Sequence, residues 1–562
     1  MKNEAKSLIN TLRNIEKKYS NENFSGMIAG GYALWLARSN GLIDVDDIKK
    51  FLATYEDNIE IQMFLNEQLG GHWNEYRRYI TMFEPEELKE AVLTITPVSC
   101  RSYMTGTAKG ILELVCAILD LKDNDSIADW GAGIGEFICH AFSQVPKAHF
   151  WGDEIGTTAF SIAKIRAKLL GGDIQIEQED MFLPKKASLT AFDKAFCFPP
   201  FGLRLGGMPN VQKFLETFPS LPLIKGACAC EWIFALKMLS HMKSGGKSVL
   251  LMANGGTFNS LDAPIRKYFI ERGMIECVIA LPGRILNFTN IPCSLVVFGK
   301  ENKKIKLIDA TSLGNVGRHQ TELSPADVQK ILEVYRGKKA DWCADIPNEQ
   351  ILANDSVINA ARYTSEKIDI KYQVSFGTVI QSITRGAMLP SADLETMTSD
   401  EPTSFQYLAL GNIKDGIIDD ELPYLASLDE RWLRYSLRPG DLILSKIGSP
   451  FKVAIADPQE KTSVIANGNL FIIRINDKVA DPYYIKAFLE SETGMALLQR
   501  SAVGSAMPNL SAKAIMNMPI SLPPLRDQKK IAAQYQAKID EIKVLKLKLA
   551  KAVNALSHLL DL

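Results

Sequence analysis

The segment Asp129-Trp-Gly131-Ala-Gly133-Ile-Gly135-Glu-Phe137 sets three glycines at alternate positions behind a carboxylate. Glycine lets the backbone turn sharply and approach a ligand closely, and a helix that follows presents its first amides to that ligand. By itself such a run is weak evidence, because a tight turn alone can give the same pattern. Its neighbours give it meaning. Gly152-Asp-Glu154 places Glu154 about 20 residues on, where an acidic side chain accepts hydrogen bonds from ribose hydroxyls. Glu179-Asp180 then offers a carboxylate, Asp180, to the exocyclic amine of an adenine. Last comes Phe198-Pro199-Pro200-Phe201-Gly202, two prolines between aromatic rings. Taken in order, these residues describe a pocket for a nucleoside.

The elements that must hold them are legible in the surrounding texture. From about 95 to 310, short β-branched or apolar runs alternate with longer helical patterns, among them Ser126–Asp129, Ala148–Gly152, Ile174–Glu177, Lys194–Cys197, Ser248–Met252, Glu276–Leu281 and Ser294–Phe298. Strands alternating with helices mean βαβ units and a mostly parallel sheet covered on both faces. Ligands of such sheets bind at the carboxyl ends of the strands, which is where the glycine run and the acidic pairs fall.

At 562 residues the chain has room for about three or four domains. Residues 1–94 carry apolar positions at helical spacing, such as Ile9, Leu12 and Ile15, and predict a helical N-terminal domain. Residues 311–375 read as a polar helical connector. From 376 to 525, short strands punctuated by Pro439-Gly-Asp441 and Asn467-Gly-Asn469 predict a separate α+β domain. Residues 526–562 lack glycine and proline, and Tyr535, Ile542, Leu545, Leu549, Ala552, Leu556 and Leu559 form a heptad seam, which predicts a long coiled-coil helix.

Composition narrows the classes. With 46% hydrophobic and 23% charged residues the chain buries real cores and is neither collagen-like nor wholly disordered. The 64 Lys and Arg nearly cancel the 65 Asp and Glu, so any nucleic-acid contact must come from local basic patches. The nine cysteines show no paired CxxC spacing, which argues against a structural zinc site and for reduced thiols; no metal is expected. The N-terminus is too polar for a secretory segment, and no apolar run reaches the roughly 18 residues that span a bilayer. The expectation is a soluble cytoplasmic protein with no membrane contact.

The order of glycine loop, ribose acid, adenine acid and diproline-aromatic turn resembles the S-adenosylmethionine-dependent N6-adenine DNA methyltransferases, and more narrowly the modification subunit of Type I restriction–modification systems. Supporting text includes Thr96-Pro97, Ile265-Arg266, Val278–Pro282, Phe288–Pro292, Leu295–Phe298 and Asn354 through Arg362-Tyr363. The resemblance implies a Rossmann-like methyltransferase sheet and S-adenosyl-L-methionine as cofactor, contacted by Thr96, Pro97, Asp129, Gly131, Gly133, Gly135, Phe137, Glu154 and Asp180. It implies that Pro199 offers a backbone carbonyl to the amine of the target adenine, that Pro200 completes the turn, and that Phe201 stacks on the extruded base. The family places Asn, Asp or Ser just before the two prolines. Here that residue is Phe198, which cannot accept a hydrogen bond.

Residues 376–562 resemble one half of a Type I specificity subunit. The matching text runs through Leu437–Gly448, Asn467–Arg474, Asp481–Tyr484, Gly504–Ala506, Leu510-Ser511 and Met518–Leu525. The resemblance implies a target-recognition domain on double-stranded DNA, for which Lys446, Lys452, Arg474 and Arg500 are the candidate contacts. It also implies pairing of two copies through the terminal helix into a homodimer, because a complete specificity subunit has two recognition domains. With no P-loop in the chain, cleavage would belong to a separate restriction subunit. Two functions follow: a fused site-specific adenine-N6 methyltransferase, or a catalytically impaired homologue that binds DNA and cofactor.

Overall fold

In a computed structural model of the chain, the described residues are all but 1–2, 19–23, 98–105, 184–190, 204, 206, 222–229, 288, 319, 365–368, 503–507 and 558–562. Two compact units result, Met1–Thr364 and Ser365–Leu562.

The first unit is built on strands β1 (Ser126–Trp130), β2 (His149–Glu154), β3 (Ile174–Gln178), β4 (Phe192–Cys197), β5 (Met242–Ala253), β6 (Ile275–Ala280), β7 (Cys293–Phe298), β8 (Lys304–Asp309) and β9 (Cys343–Pro347). They form one sheet in the order β9-β8-β6-β7-β5-β4-β1-β2-β3. Pairing is parallel from β5 through β4, β1 and β2 to β3, whereas β7 runs antiparallel between β5 and β6. Each strand read from the sequence lies on this sheet. Its central strands show why they are near-continuous apolar runs. Val249 and Leu251 of β5 and Leu295 and Val297 of β7 enter one core, while Leu250, Met252, Val296 and Phe298 enter the core on the other face. Both sets are buried because a strand sends alternate side chains to opposite faces and helices cover both.

Five N-terminal helices, α1 (Asn3–Glu16), α2 (Phe24–Ser39), α3 (Ile48–Tyr55), α4 (Ile59–Leu69) and α5 (Pro85–Thr94), close a third core around Leu8, Leu12, Ile28 and Leu65. That core also takes in Ile162, Ile165 and Leu169 of α8 (Thr157–Leu170), the helix between β2 and β3. Between these lie α6 (Lys109–Leu119), which leads into β1, and α7 (Glu136–Phe142), which follows the glycine run. The helical prelude thus shares its core with the sheet's own helix layer.

The reading of 311–375 as a helical connector is corrected. Strand β9 pairs antiparallel with β8 from Cys343↔Ile308 to Pro347↔Lys304 and extends the main sheet. Helix α11 (Pro325–Tyr335) drives Val328, Ile331 and Leu332 into the first core. An edge strand with one polar face leaves a weak period-two signal, which is why Cys343-Ala-Asp-Ile-Pro347 passes for loop. Between these stand α9 (Cys230–Leu239) and α10 (Ala263–Glu271), on the second face.

The second unit is α+β. Strands β10 (Ile380–Arg385), β12 (Leu442–Ser445), β13 (Val453–Ile455) and β15 (Leu470–Ile475) form an antiparallel sheet in the order β10-β15-β12-β13. A second small sheet contains β11 (Phe405–Leu408) and β14 (Ser463–Ala466), paired in parallel. Helix α12 (Pro482–Glu490) packs on the start of the 33-residue helix α13 (Leu525–Ser557). There Gln528 and Ala532 are buried, and the Tyr535 hydroxyl meets Glu490 and Lys486. Further along, Ile542, Leu545 and Leu549 are exposed, at 38%, 55% and 65%. The first part of the seam is therefore used within the unit, and only the later part is open. Leu559 lies outside the described residues, as do Gly504–Ala506 and the side chain of Leu556.

Candidate functional site

Strand β1 ends at Asp129-Trp130, and the chain then crosses the carboxyl rim of the sheet through Gly131, Gly133 and Gly135, with φ of +73°, +54° and +79°. These are left-handed conformations that other residues adopt only at a cost of roughly 1–2 kcal/mol each. The loop is held by the two acids that end β2. Gly131 N–H donates to Asp153 Oδ1 at 2.8 Å, and Gly133 N–H to Glu154 Oε2 at 2.9 Å. The other oxygen of Glu154 accepts from Gly156 N–H at 2.7 Å, which fixes the entry into α8.

Between this loop and the ends of β3 and β4 lies a cavity of about 1060 Å³. Asp129, Gly131, Gly133, Phe137, Glu154, Asp180, Phe198, Pro199, Pro200 and Phe201 all line it. Asp180 is fixed by accepting from Phe182 N–H at 2.9 Å and from Asn210 Nδ2 at 3.3 Å. The Phe198 ring faces Phe201 at a centroid distance of 5.5 Å and 59° between planes. Pro199 is buried and Pro200 exposed, and the Cys230 thiol donates to the Pro200 carbonyl at 3.1 Å.

Among the described residues the charged lining of the cavity is of one sign. Asp129, Glu136, Asp153, Glu154, Glu179 and Asp180 line it, and among the described residues no Lys, Arg or His does. Burial raises the Asp129 carboxyl well above the ordinary carboxylate range, and the nearby charges of Asp153, Glu154 and Glu136 add to the effect. Glu136 is raised chiefly by burial, against the pull of Arg166 and the Thr107 amide.

Three expected cofactor contacts lie outside the lining. Thr96 is exposed, and Pro97 is buried with its carbonyl accepting from Asn287 Nδ2 at 3.3 Å. The segment that does reach the cavity lies just before α6, at Thr107, and the residues Thr105-Gly-Thr107 ahead of an apolar run were the available sequence signal. Gly135 stands behind the loop, where a Cβ would meet Ala163 Cα at 3.3 Å, so its lack of a side chain serves the approach of α8. Sequence reasoning also missed Arg166. It is fully buried on α8 and donates to the carbonyls of Val92 at 3.3 Å, Ile134 at 3.0 Å and Ile95.

In the second unit, three of the four cations expected to meet DNA have partners within the unit. Lys452 Nζ donates to the carbonyls of Leu410 at 3.0 Å and Ile413 at 2.7 Å. Arg474 Nε is 3.1 Å from Asp441 Oδ1, whose side chain is only 4% exposed. These two hold loops together, which leaves them fewer free donors than a solvated cation has. Lys446 Nζ donates to Asn509 Oδ1 at 2.6 Å, and burial, with Arg385 nearby, lowers its pKa. Arg500 is partly exposed near the end of helix Glu492–Ser501. Two further cations of the unit, on the short helix Glu430–Leu433 and the residue after it, are exposed. Arg431 stands over Trp432 at 5.0 Å and Arg434 over Tyr435 at 4.7 Å.

Residues 104–370 match the N-6 DNA Methylase family, and residues 434–554 match the Type I restriction modification DNA specificity domain. A region that matches the N-6 DNA methylase family is thus followed in the same chain by one that matches the Type I DNA specificity domain. It is similar to the Type I restriction enzyme HindI methylase subunit of Haemophilus influenzae, 24% identical over 410 residues that cover 68% of this chain and 88% of that one. It is also similar to the MjaIX methylase subunit of Methanocaldococcus jannaschii, 24% identical over 302 residues, 47% of this chain and about half, 52%, of that one. Among solved structures, the Type I methyltransferase subunit of Streptococcus thermophilus aligns with a TM-score of 0.48 at 18% identity, over 64% of this chain and 100% of that one. No helix among the described residues is long and apolar enough to cross a membrane.

Proposed function

We propose that this chain is a site-specific DNA adenine-N6 methyltransferase of the Type I restriction–modification kind, with S-adenosyl-L-methionine as methyl donor and its own DNA specificity domain. The observation that carries the reading is the convergence of Asp129, the glycine loop, Glu154, Asp180 and the Phe198–Phe201 turn on one cavity. The donor fits the walls. It carries a net positive charge on its sulfonium and ammonium groups, and the lining is anionic. A Cβ built on Gly131 or Gly133 meets nothing within 4 Å, so the loop leaves open space where a ligand would lie.

In this reading Gly131 and Gly133 let the backbone approach the methionine part of the donor, Glu154 accepts from its ribose and Asp180 from its adenine amine. The donor supplies an electrophilic methyl group. The target adenine must leave the duplex to reach the cavity, and Phe201 offers it a stacking face. The Pro199 carbonyl accepts one N–H of its amine, which favours the pyramidal nitrogen that attacks the methyl.

Phe198 favours a second reading. The acceptor for the other N–H is absent, and loss of one such bond commonly costs about 10²–10³ in rate. An impaired homologue would still bind donor and DNA. Incubation of the full chain with unmethylated plasmid and tritiated S-adenosylmethionine separates the two. Label in adenine N6 with the wild-type chain supports the enzyme, and label only with Phe198→Asn supports the binding module.

The single basic side chains of the second unit would read DNA, with Arg431, Arg434 and Arg500 as contacts ahead of the internally bound Lys452 and Arg474. The open apolar part of α13 would pair with that of a second copy, giving a homodimer with two recognition units. A separate restriction subunit would supply cleavage. The unpaired thiols of Cys116, Cys197 and Cys277 suit a reducing cytoplasm.

A further inference from the structure

Glu136 is the first residue of α7 and the residue after the last glycine of the loop. Its Oε2 accepts the backbone N–H of Thr107. Its Oε1 is shielded from solvent and has no hydrogen-bond partner among the described residues. Gly106 crosses beside it so closely that a Cβ there would stand 3.0 Å from Oε1. Both Glu136 and Thr107 line the cavity.

Three of the neighbouring acids are already engaged. Glu154 accepts from two backbone amides, Asp153 from Gly131 N–H, and Asp180 from Phe182 N–H and Asn210. A shielded carboxylate oxygen without a donor is costly, and one that lies in a cavity wall is open to completion by a bound group. The partner it lacks must donate a hydrogen bond, and a lining that carries Glu154, Glu179 and Asp180 favours a cationic donor. Arg166 does not fill the role, since its guanidinium is spent on the Val92, Ile95 and Ile134 carbonyls.

We infer that Glu136 Oε1 is the acceptor for the primary ammonium at the amino-acid end of the methyl donor. This rests on the reading of the cavity as a donor site and deepens it. It adds a binding residue that distinguishes a nucleoside bearing an amino acid from the bare nucleoside thioether. A charge-assisted hydrogen bond in a water-poor site is strong, so its loss is large and confined to ligands that carry the ammonium.

The test is calorimetric titration of the full chain with S-adenosylmethionine and with methylthioadenosine, which keeps the adenosine and sulfur but lacks the amino acid. In Glu136→Gln the amide oxygen still accepts from Thr107 N–H, while an NH₂ replaces the oxygen that faces the ligand. Glu136→Gln is expected to weaken S-adenosylmethionine about 10- to 100-fold and to leave methylthioadenosine unchanged, which also reports that the cavity is intact. Equal S-adenosylmethionine affinity in the two proteins would overturn the inference, as would parallel loss of both ligands. A wild-type chain that binds neither ligand would instead overturn the donor-site reading itself, and this inference with it.

Discussion

Arg166 Nη1 donates to the carbonyl of Ile134 at 3.0 Å, from a helix whose outer face is covered by the N-terminal bundle to the middle of the glycine loop. The same guanidinium takes the carbonyls of Val92 and Ile95 at the end of α5. One buried side chain therefore ties the helical prelude to the cavity rim. Arg166→Met is expected to leave three carbonyls without donors, at about 1–3 kcal/mol each where water cannot reach them, so a loss of about 3 kcal/mol or more. Urea unfolding monitored by tryptophan fluorescence checks it; a loss under about 1 kcal/mol would mean that solvent replaces the guanidinium.

The acidic cavity gives ligand-free stability a pH slope of known sign. Asp129 holds its proton more tightly when folded than unfolded, because of burial and the charges of Asp153, Glu154 and Glu136. Its contribution is therefore fully present at low pH and is lost as pH rises through its raised folded pKa, above the ordinary carboxylate range. Asp129→Asn removes that loss. The melting temperature of the variant relative to wild type is expected to rise with pH between 5 and 8, while its affinity for S-adenosylmethionine falls. A difference that is flat with pH would contradict the assignment.

The two kinds of basic residue in the second unit should separate cleanly. Arg474→Ala leaves nearly buried Asp441 without its partner and is expected to cost about 2 kcal/mol in thermal or urea unfolding, with DNA affinity of the folded protein unchanged. Arg431 pairs with exposed Asp429 at 3.1 Å and stands over Trp432, and Arg434 donates to the Tyr435 hydroxyl at 2.7 Å; surface contacts of this kind contribute about 1 kcal/mol or less, so the stability of Arg431→Ala and Arg434→Ala should nearly hold. Their DNA affinity should fall, and the salt dependence of binding should lessen by about one unit per phosphate contact removed. Fluorescence anisotropy across a salt series reads both.

Leu545 and Leu549 are more than half exposed in the single chain. If they meet a second copy, Leu545→Glu with Leu549→Glu converts a dimer to a monomer in sedimentation equilibrium and leaves the chain's own melting temperature unchanged. A wild-type chain that sediments as a monomer at micromolar concentration would rule the pairing out.

What the sequence made legible follows from how each signal is generated. Central strands such as Cys293–Phe298 are apolar on both faces and announce themselves, and positive φ at Gly131 and Gly133 leaves glycine almost no substitute. Edge strand β9 has one polar face and stayed hidden. Thr96-Pro97 matches the family's text by residue type, yet Thr107, just before α6, is the residue that lines the cavity. Lys452 and Arg474 look like any surface cation until Leu410, Ile413 and Asp441 are brought to them from elsewhere in the chain. Arg166 gave no signal, because three carbonyl acceptors belong to the backbone and are invisible in residue types.

The central claim is that the rim of the sheet holds one molecule of S-adenosylmethionine with Glu154 on its ribose. Filter binding of the tritiated donor to the full chain tests it most directly. Saturation at one site per chain, weakened at least tenfold in Glu154→Ala while a folded far-ultraviolet spectrum is kept, is the expected result. Absence of saturable binding to the wild-type chain, or unchanged binding to the variant, would contradict it.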